Sequence, residues 1–564
     1  MAFLRHNAWL LLALPPTLLW FAAVNSTVPD PYLDEAFHVP QAKQYCDGRF
    51  FPWDPKITTP PGLYFVSYLL KPVLGCSTTG LRATNLLCTM ALAWILQRIY
   101  ARRLHRRDST ESQWLAAHSA LNTVLFPPLF FFSALYYTDI PSTLAVALFY
   151  NSFTATDRSS LPSHNKRRNI RLVVYGIVAL LFRQTNIFWV AIFPAGIVLV
   201  RELDCGHAVV KDSMYRGVAG FGDSWLSIAR TSWKMEVLYV PPVQNCSLED
   251  YAKCFLSLAT LVLKLPRQPS RLFALLSALS PFLVILLHFA LFIILNGGVV
   301  LGDKSNHVAT IHTPQLLYLW PFSLFFSWPI ILPHLFTPPL AILQRFAPQI
   351  RRLVPVKSNI SASPRFVVLT GFTALALLMV KYNTIIHPFT LADNRHYVFY
   401  VFRLLMRPWW VRYLAAPVYV TSAWGCVQGL GGPPVEAEDS AAANKVVAAE
   451  SSTTRTTTQG PNVSFLLIWL ATTALNLVTA PLVEPRYFIL PWLFWRLHVP
   501  SSATLTNPRP GSEAEARKGS GQPDKRLWLE TLWFLAINAV TGYMFLYRGF
   551  AWESENSKVQ RFMW

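Results

Sequence analysis

Six short polar segments carry the residue types that could do chemistry. Adjacent carboxylates Asp34 and Glu35 lie in Tyr32-Leu33-Asp34-Glu35-Ala36-Phe37-His38, and a third acid closes Tyr137-Thr138-Asp139. Arg183-Gln184-Thr185-Asn186, Leu301-Gly302-Asp303-Lys304, Asp393-Asn394-Arg395-His396-Tyr397 and Glu484-Pro485-Arg486-Tyr487 supply cations. A carboxylate can take the proton of an acceptor hydroxyl, and cations can neutralise a phosphate that leaves. Acids on one wall and cations on the other therefore suit group transfer from a phosphate-linked donor. Each piece also has a plainer reading. Asp34 reads as the cap of a helix over 36–45, and Asp139, ahead of Pro141, as a helix start. Lys304, Arg395 and Arg486 read as interface anchors near span ends. His38, His312, His387 and His396 lack ligand spacing, so no metal site is expected. No Walker-type loop, Ser-His-Asp arrangement or dinucleotide motif is present.

The elements that must position these residues are membrane helices. The chain has 564 residues, 53% hydrophobic and only 14% charged, with 20 Trp, 21 Tyr and 38 Phe. A soluble domain carries roughly 25% charged residues, so there is too little polar surface here to cover a water-soluble particle. Mean hydropathy is +0.33. The net charge of +20 sits in short loops between apolar runs, a topological bias and not a nucleic-acid surface. Seven cysteines form no disulfide framework; Cys46 and Cys76 could pair if their loop faces an oxidising lumen.

About 20 apolar residues cross a bilayer as a helix. Runs at 8–24, 81–100, 114–133, 140–153, 172–182, 187–200, 272–294, 314–336, 366–380, 411–424, 465–482, 487–494 and 527–546 predict about 13 crossings in a single membrane domain over 1–564. The first run reads as an uncleaved anchor. Arg98, Arg102, Arg103, Arg106 and Arg107 mark the inside, which places loop 25–80 in the lumen. In that loop 63–74 reads as an interfacial helix and Asn25 as a glycosylation sequon. Residues 172–200 read as two short helices around a polar turn at 183–186, which keeps 201–266 cytosolic and the Asn245 sequon unused. Spacers 429–461 and 501–526 read as disordered loops.

Taken together, these segments resemble the family of dolichyl-phosphate-glucose α-1,2-glucosyltransferases, which add the last glucose to the lipid-linked oligosaccharide. The resemblance rests on 32–41, on Trp53-Asp54-Pro55-Lys56-Ile57-Thr58-Thr59-Pro60-Pro61-Gly62-Leu63-Tyr64, and on Phe182-Arg183-Gln184-Thr185-Asn186. It continues through Leu301-Gly302-Asp303-Lys304, His307, Pro314-Gln315-Leu316, 391–397, 486–491 and Arg561-Phe562-Met563-Trp564.

The resemblance implies an all-α GT-C glycosyltransferase of the endoplasmic reticulum membrane with its active site facing the lumen. The donor would be dolichyl-phosphate glucose and the acceptor the diglucosylated dolichyl-diphosphate oligosaccharide. No cofactor and no metal is implied. Inversion at the anomeric carbon needs one general base, Asp34 or Glu35; a helix beginning here would separate the two by about 100°. Lys304, Arg395 and His396, then Arg183 and Arg486, are the implied donor-phosphate contacts, and Trp53, Asp54 and Tyr64 the implied acceptor contacts. Composition alone would favour a polytopic transporter or channel subunit, and sugar chemistry alone does not separate this activity from another lipid-dependent transferase.

Overall fold

The computed structural model describes residues 8–104, 110–155, 166–243, 246–304, 310–346, 366–431, 460–480, 482–500, 524–552 and 558–564. Asn245, His307 and nearly all of spacers 429–461 and 501–526 lie outside these residues. The architecture is helical, apart from a two-stranded antiparallel ribbon near the C-terminus. Helices of eight residues or more are α1 Leu14–Thr27, α2 Glu35–Cys46, α3 Gly62–Leu74, α4 Thr78–Arg103, α5 Thr110–Leu125, α6 Asp139–Thr154 and α7 Lys166–Leu180. Then come α8 Phe193–Leu203, α9 Ala208–Tyr215, α10 Trp225–Met235, α11 Leu248–Lys264, α12 Pro269–Asn296, α13 Pro314–Phe346 and α14 Phe366–Asn383. The last are α15 Tyr397–Met406, α16 Val411–Gly431, α17 Val463–Leu477, α18 Ile489–His498 and α19 Lys525–Tyr547, followed by β1 Phe550–Trp552 and β2 Lys558–Gln560.

Among the described residues six helices are long and apolar enough to cross a membrane, or seven if a pair bent by 67° between Leu125 and Pro127 counts as one span. That establishes a multi-spanning protein; the count of 13 read from the sequence rests on several shorter runs. The physical reason lies in burial. Most of α6 and nine of the ten residues of α18 are buried inside the bundle, so they need neither the length nor the uniform apolarity of a lipid-facing helix. Helix α12 shows the opposite behaviour, presenting Leu287, Ile294 and Leu295 outward.

The first loop is structured throughout. A disulfide joins Cys46 at the end of α2 to Cys76 just before α4, and Lys71 donates to the Cys46 carbonyl at 2.7 Å. Helix α3 follows the expected interfacial segment, with Phe65, Leu69 and Val73 exposed as an apolar face. Asn25 ends inside α1: its amide nitrogen donates to the Phe21 carbonyl at 2.8 Å and its oxygen accepts from Arg82 at 3.3 Å. An amide engaged at both ends within a helix is poorly presented for glycosylation.

Later segments dock on this loop and define one end of the bundle. Gly62 N donates to the Leu181 carbonyl at 2.8 Å, and a Cβ there would lie 2.6 Å from that oxygen, so only glycine fits. Gln184 donates to the Thr58 carbonyl at 2.8 Å, so the polar turn between α7 and α8 sits at the first-loop end. Leu301 N and Asp303 N donate to the Thr58 and Pro55 carbonyls at 3.1 and 2.7 Å. Between them Gly302 takes φ +61° and passes so close that a Cβ would meet the Pro55 oxygen at 2.3 Å. The C-terminal residues arrive at the same end, where Arg561 N donates to the Tyr32 hydroxyl at 2.6 Å.

Candidate active site

Adjacent acids Asp34 and Glu35 are sent to different surroundings by the first turn of α2. Glu35 turns inward and is sealed. Its two oxygens accept from Arg82 Nε at 2.8 Å and Nη2 at 2.6 Å, and from the backbone N–H groups of Tyr136 at 2.6 Å and Tyr32 at 3.0 Å. Arg82 spends its remaining N–H groups on the Val28 and Asp30 carbonyls and on Asn25. Both side chains are 0% exposed. This is a bidentate buried pair that ties residues 25–35 to α4.

Asp34 occupies the N-cap position of α2, yet its side chain makes no cap hydrogen bond. The capping reading of the sequence therefore does not hold. Its carboxylate turns instead to Arg486, whose Nη1 lies 2.9 Å from Oδ2, and it remains 43% exposed. The preceding Leu33 takes φ +50°, a strained conformation for a branched side chain, which sets Asp34 in place. Burial pushes the Asp34 carboxyl up, but the neighbouring Arg486 and the charge of His38 outweigh it and hold the group below its ordinary value.

Arg486 is the hub of the cluster. It donates to Glu484 at 3.0 Å, lies 4.0 Å from Asp139 Oδ2, and stacks over the Phe132 and Tyr137 rings at 5.7 Å each. Asp139 begins α6, as expected, but is fully buried and faces Arg183 across 3.0 Å. Arg183 also donates to Thr138 at 3.2 Å. Three carboxylates thus surround two guanidiniums. His38, one turn after Asp34 on α2, shares a 2.6 Å hydrogen bond with the Tyr64 hydroxyl. Burial lowers His38 below its usual value, with Asp34 opposing.

The other expected residues fall into two further places. Arg395 clasps Asp393 through Nε and Nη2, reaches Gln560 at 2.9 Å and stacks over Trp552. His396 Nδ1 lies 3.2 Å from the Trp564 carbonyl, and its Nε2 is 3.8 Å from Asp393. This loop adjoins the acid cluster closely enough for a charge on His396 to draw the Asp34 carboxyl down. Lys304 is exposed on the turn after α12 and donates to the Asn296 carbonyl, outside the cluster. Trp53 and Asp54 serve their own loop: the Trp53 indole donates to the Ile57 carbonyl at 3.1 Å, and Asp54 accepts from Lys56 N at 2.9 Å. Only Tyr64 reaches the acids, through His38.

Sequence reading left Arg82 outside every polar segment, and gave Asp139, Glu484 and His38, which it gathered in those segments, no catalytic or binding role. Arg82 carried a usable signal, since an arginine beside the start of an apolar run demands a partner. Among the described residues no three His, Cys, Asp or Glu side chains gather as metal ligands do. A cavity of about 90 Å³ lies elsewhere, lined by Tyr100, Arg103, Arg496, His498, Asp524 and Arg526. It is about 27 Å along α4 from Arg82 at 1.5 Å per residue, and within it Arg496 and Arg526 are matched by Glu530 and Asp524.

Comparisons with known proteins follow the same segments. A family model described as the DIE2/ALG10 family matches residues 28–497. A protein of Aspergillus fumigatus named Dol-P-Glc:Glc(2)Man(9)GlcNAc(2)-PP-Dol alpha-1,2-glucosyltransferase is 40% identical over 612 residues, covering 97% of this chain and 96% of its own. A rat protein of the same name is 31% identical over 567 residues, with the same coverage. Among solved structures, the oligosaccharyltransferase of Archaeoglobus fulgidus in its apo form aligns at 13% identity and a TM-score of 0.26, over 92% of this chain and 60% of that one. That likeness is too slight to bear on the chemistry.

Proposed function

Because the chain belongs to the DIE2/ALG10 family, we propose that it transfers glucose from dolichyl-phosphate glucose, in α-1,2 linkage, to the diglucosylated dolichyl-diphosphate oligosaccharide. The observation that carries this is the near-full-length similarity to relatives of that name, the Aspergillus fumigatus protein being 40% identical across 97% of the chain. The chain is a glycosyltransferase of GT-C type working at a membrane, without a cofactor. Its first loop faces the lumen of the endoplasmic reticulum; the Cys46–Cys76 bridge supports this, since such bonds persist in oxidising compartments.

Asp34 is the general base. Its carboxylate is ionised beside Arg486 and open to a ligand, whereas Glu35 has both oxygens committed to Arg82 and the backbone. Asp34 takes the proton of the acceptor's 2-hydroxyl as that oxygen bonds to the anomeric carbon of the donor glucose. The bond from that carbon to the phosphate oxygen breaks, dolichyl phosphate leaves with the electron pair, and the carbon inverts. Arg486 and Arg183 already balance carboxylates, so their work is to orient and ionise the acid wall. His396 meets the leaving phosphate, oriented by Arg395 and its partner Asp393, while Lys304 lies outside the cluster. Tyr64 and His38 shape the acceptor side beside Asp34, with Trp53 and Asp54 bracing their loop.

The test is transfer by the purified protein in detergent, from dolichyl-phosphate glucose to the diglucosylated acceptor, read by mass spectrometry. A product one hexose heavier and sensitive to α-1,2-specific digestion is expected. Transfer only from a mannose donor, or only to a monoglucosylated acceptor, would refute the assignment.

A further inference from the structure

The C-terminal motif is explained by none of the chemistry above, and it touches both walls of the site. Tyr32, two residues before Asp34, accepts from Arg561 N at 2.6 Å and donates to the Arg561 carbonyl at 2.8 Å. Met563 then runs parallel to His396 as a short bridge: its N–H donates to the Arg395 carbonyl at 2.9 Å, and its carbonyl accepts from Tyr397 N at 3.1 Å. The result brings the Tyr397 and Trp564 rings together, 5.1 Å between centroids and edge to face.

Here two polar atoms stand out. The Tyr397 hydroxyl and the Trp564 indole nitrogen are both buried, and neither has a hydrogen-bond partner among the described residues. Leaving a buried donor unpaired is unfavourable, and native proteins seldom do so without a function. Asn394 in the same loop buries an amide oxygen in the same condition; turned over, that amide presents a third donor. The indole can only donate, and the unpartnered phenol can donate beside it, so the pair suits an acceptor-rich ligand. A phosphate, with acceptor oxygens on every side, is that ligand.

We propose that Tyr397 and Trp564 bind the phosphate of the lipid-linked donor beside His396, the indole N–H and the phenol O–H each donating to a phosphate oxygen. This rests on the reaction assigned above but is tested separately from it. The C-terminal segment thus contributes directly to substrate binding as well as tying the first loop to the 393–397 loop.

Tyr397→Phe and Trp564→Phe remove the donors while keeping aromatic rings. The measurement is the Kd of the full-length protein for dolichyl phosphate, together with the KM values for donor and acceptor, the melting temperature, and inhibition by inorganic phosphate. Each variant should weaken dolichyl phosphate and raise donor KM about tenfold, or ~1.4 kcal/mol. Acceptor KM and, at least for Tyr397→Phe, melting temperature should stay unchanged. Unchanged dolichyl phosphate affinity in both variants overturns the proposal. So does a raised donor KM with unchanged dolichyl phosphate affinity, which would place the contact on glucose, and so does inorganic phosphate binding as tightly as the lipid, which would make this a site for the free ion. A wild type that binds dolichyl phosphate but transfers no glucose would defeat the reaction and leave this binding comparison decisive.

Discussion

Two arginine–carboxylate pairs stand side by side at one end of the bundle, and they differ in almost everything except chemistry. Arg82–Glu35 is 0% exposed on both sides, bidentate, and saturated by backbone N–H groups. Arg486–Asp34 is held through one Arg nitrogen, with the acid 43% exposed and the arginine divided among other carboxylates. A carboxylate with every lone pair engaged can hold a chain in place but cannot take a proton from a substrate. The open pair can. Placing the two acids on consecutive residues lets the sealed one fix the position of the reactive one.

This contrast predicts distinct failures. Glu35→Gln leaves Arg82 as a buried, uncompensated cation, and loss of one partner of such a pair typically costs about 3–5 kcal/mol. The check is thermal unfolding in detergent; a melting temperature equal to wild type would show that the pair is not structural. Next in size, Cys46→Ala should cost about 2–4 kcal/mol by freeing the first loop. Unfolding with and without reductant measures it, the wild type under reductant matching the variant.

Arg486→Gln should leave the fold standing and slow transfer about 10–100-fold, as expected when a group that holds a catalytic base is lost. It should also move the acid limb of the pH–rate profile. In the wild type Asp34 ionises below its ordinary 3.8, so the pairing is fully present above that value and is lost as pH falls through the lower folded value. Without Arg486 the opposing effect of burial is unmasked and the limb moves to higher pH; a limb that stays put would break the pairing account. Smallest of all, Tyr64→Phe removes the hydroxyl bonded to His38 and should change acceptor KM about two- to tenfold, the equivalent of ~0.4–1.4 kcal/mol.

Much of this was legible in the residues. The polar turn at 183–186 could not be read as mid-membrane without burying Arg183, and it lies at the first-loop end, paired with Asp139. The short apolar stretch 63–74 is a helix with an exposed apolar face. What remained unreadable has physical causes. Asp34 and Glu35 are neighbours of the same chemistry, so only the three-dimensional position of Arg82 and Arg486 separates them. Asp139 looked like a helix start and is one, but its carboxylate works across the bundle, which no local spacing reveals. Helix α18 reads as a short span, yet all of its residues but Leu490 are buried, and a hydropathy run carries no information about whether a helix meets lipid or protein.

The central claim is that Asp34 alone removes the acceptor proton while Glu35 only supports it. The most direct measurement is single-turnover glucose transfer by Asp34→Asn, normalised to folded protein and run beside its melting curve. The account predicts a loss of about 10²–10⁴-fold, the usual contribution of a general base, with an unchanged melting temperature. Transfer by folded Asp34→Asn at the wild-type rate would contradict it and return the role of base to another carboxylate of the cluster.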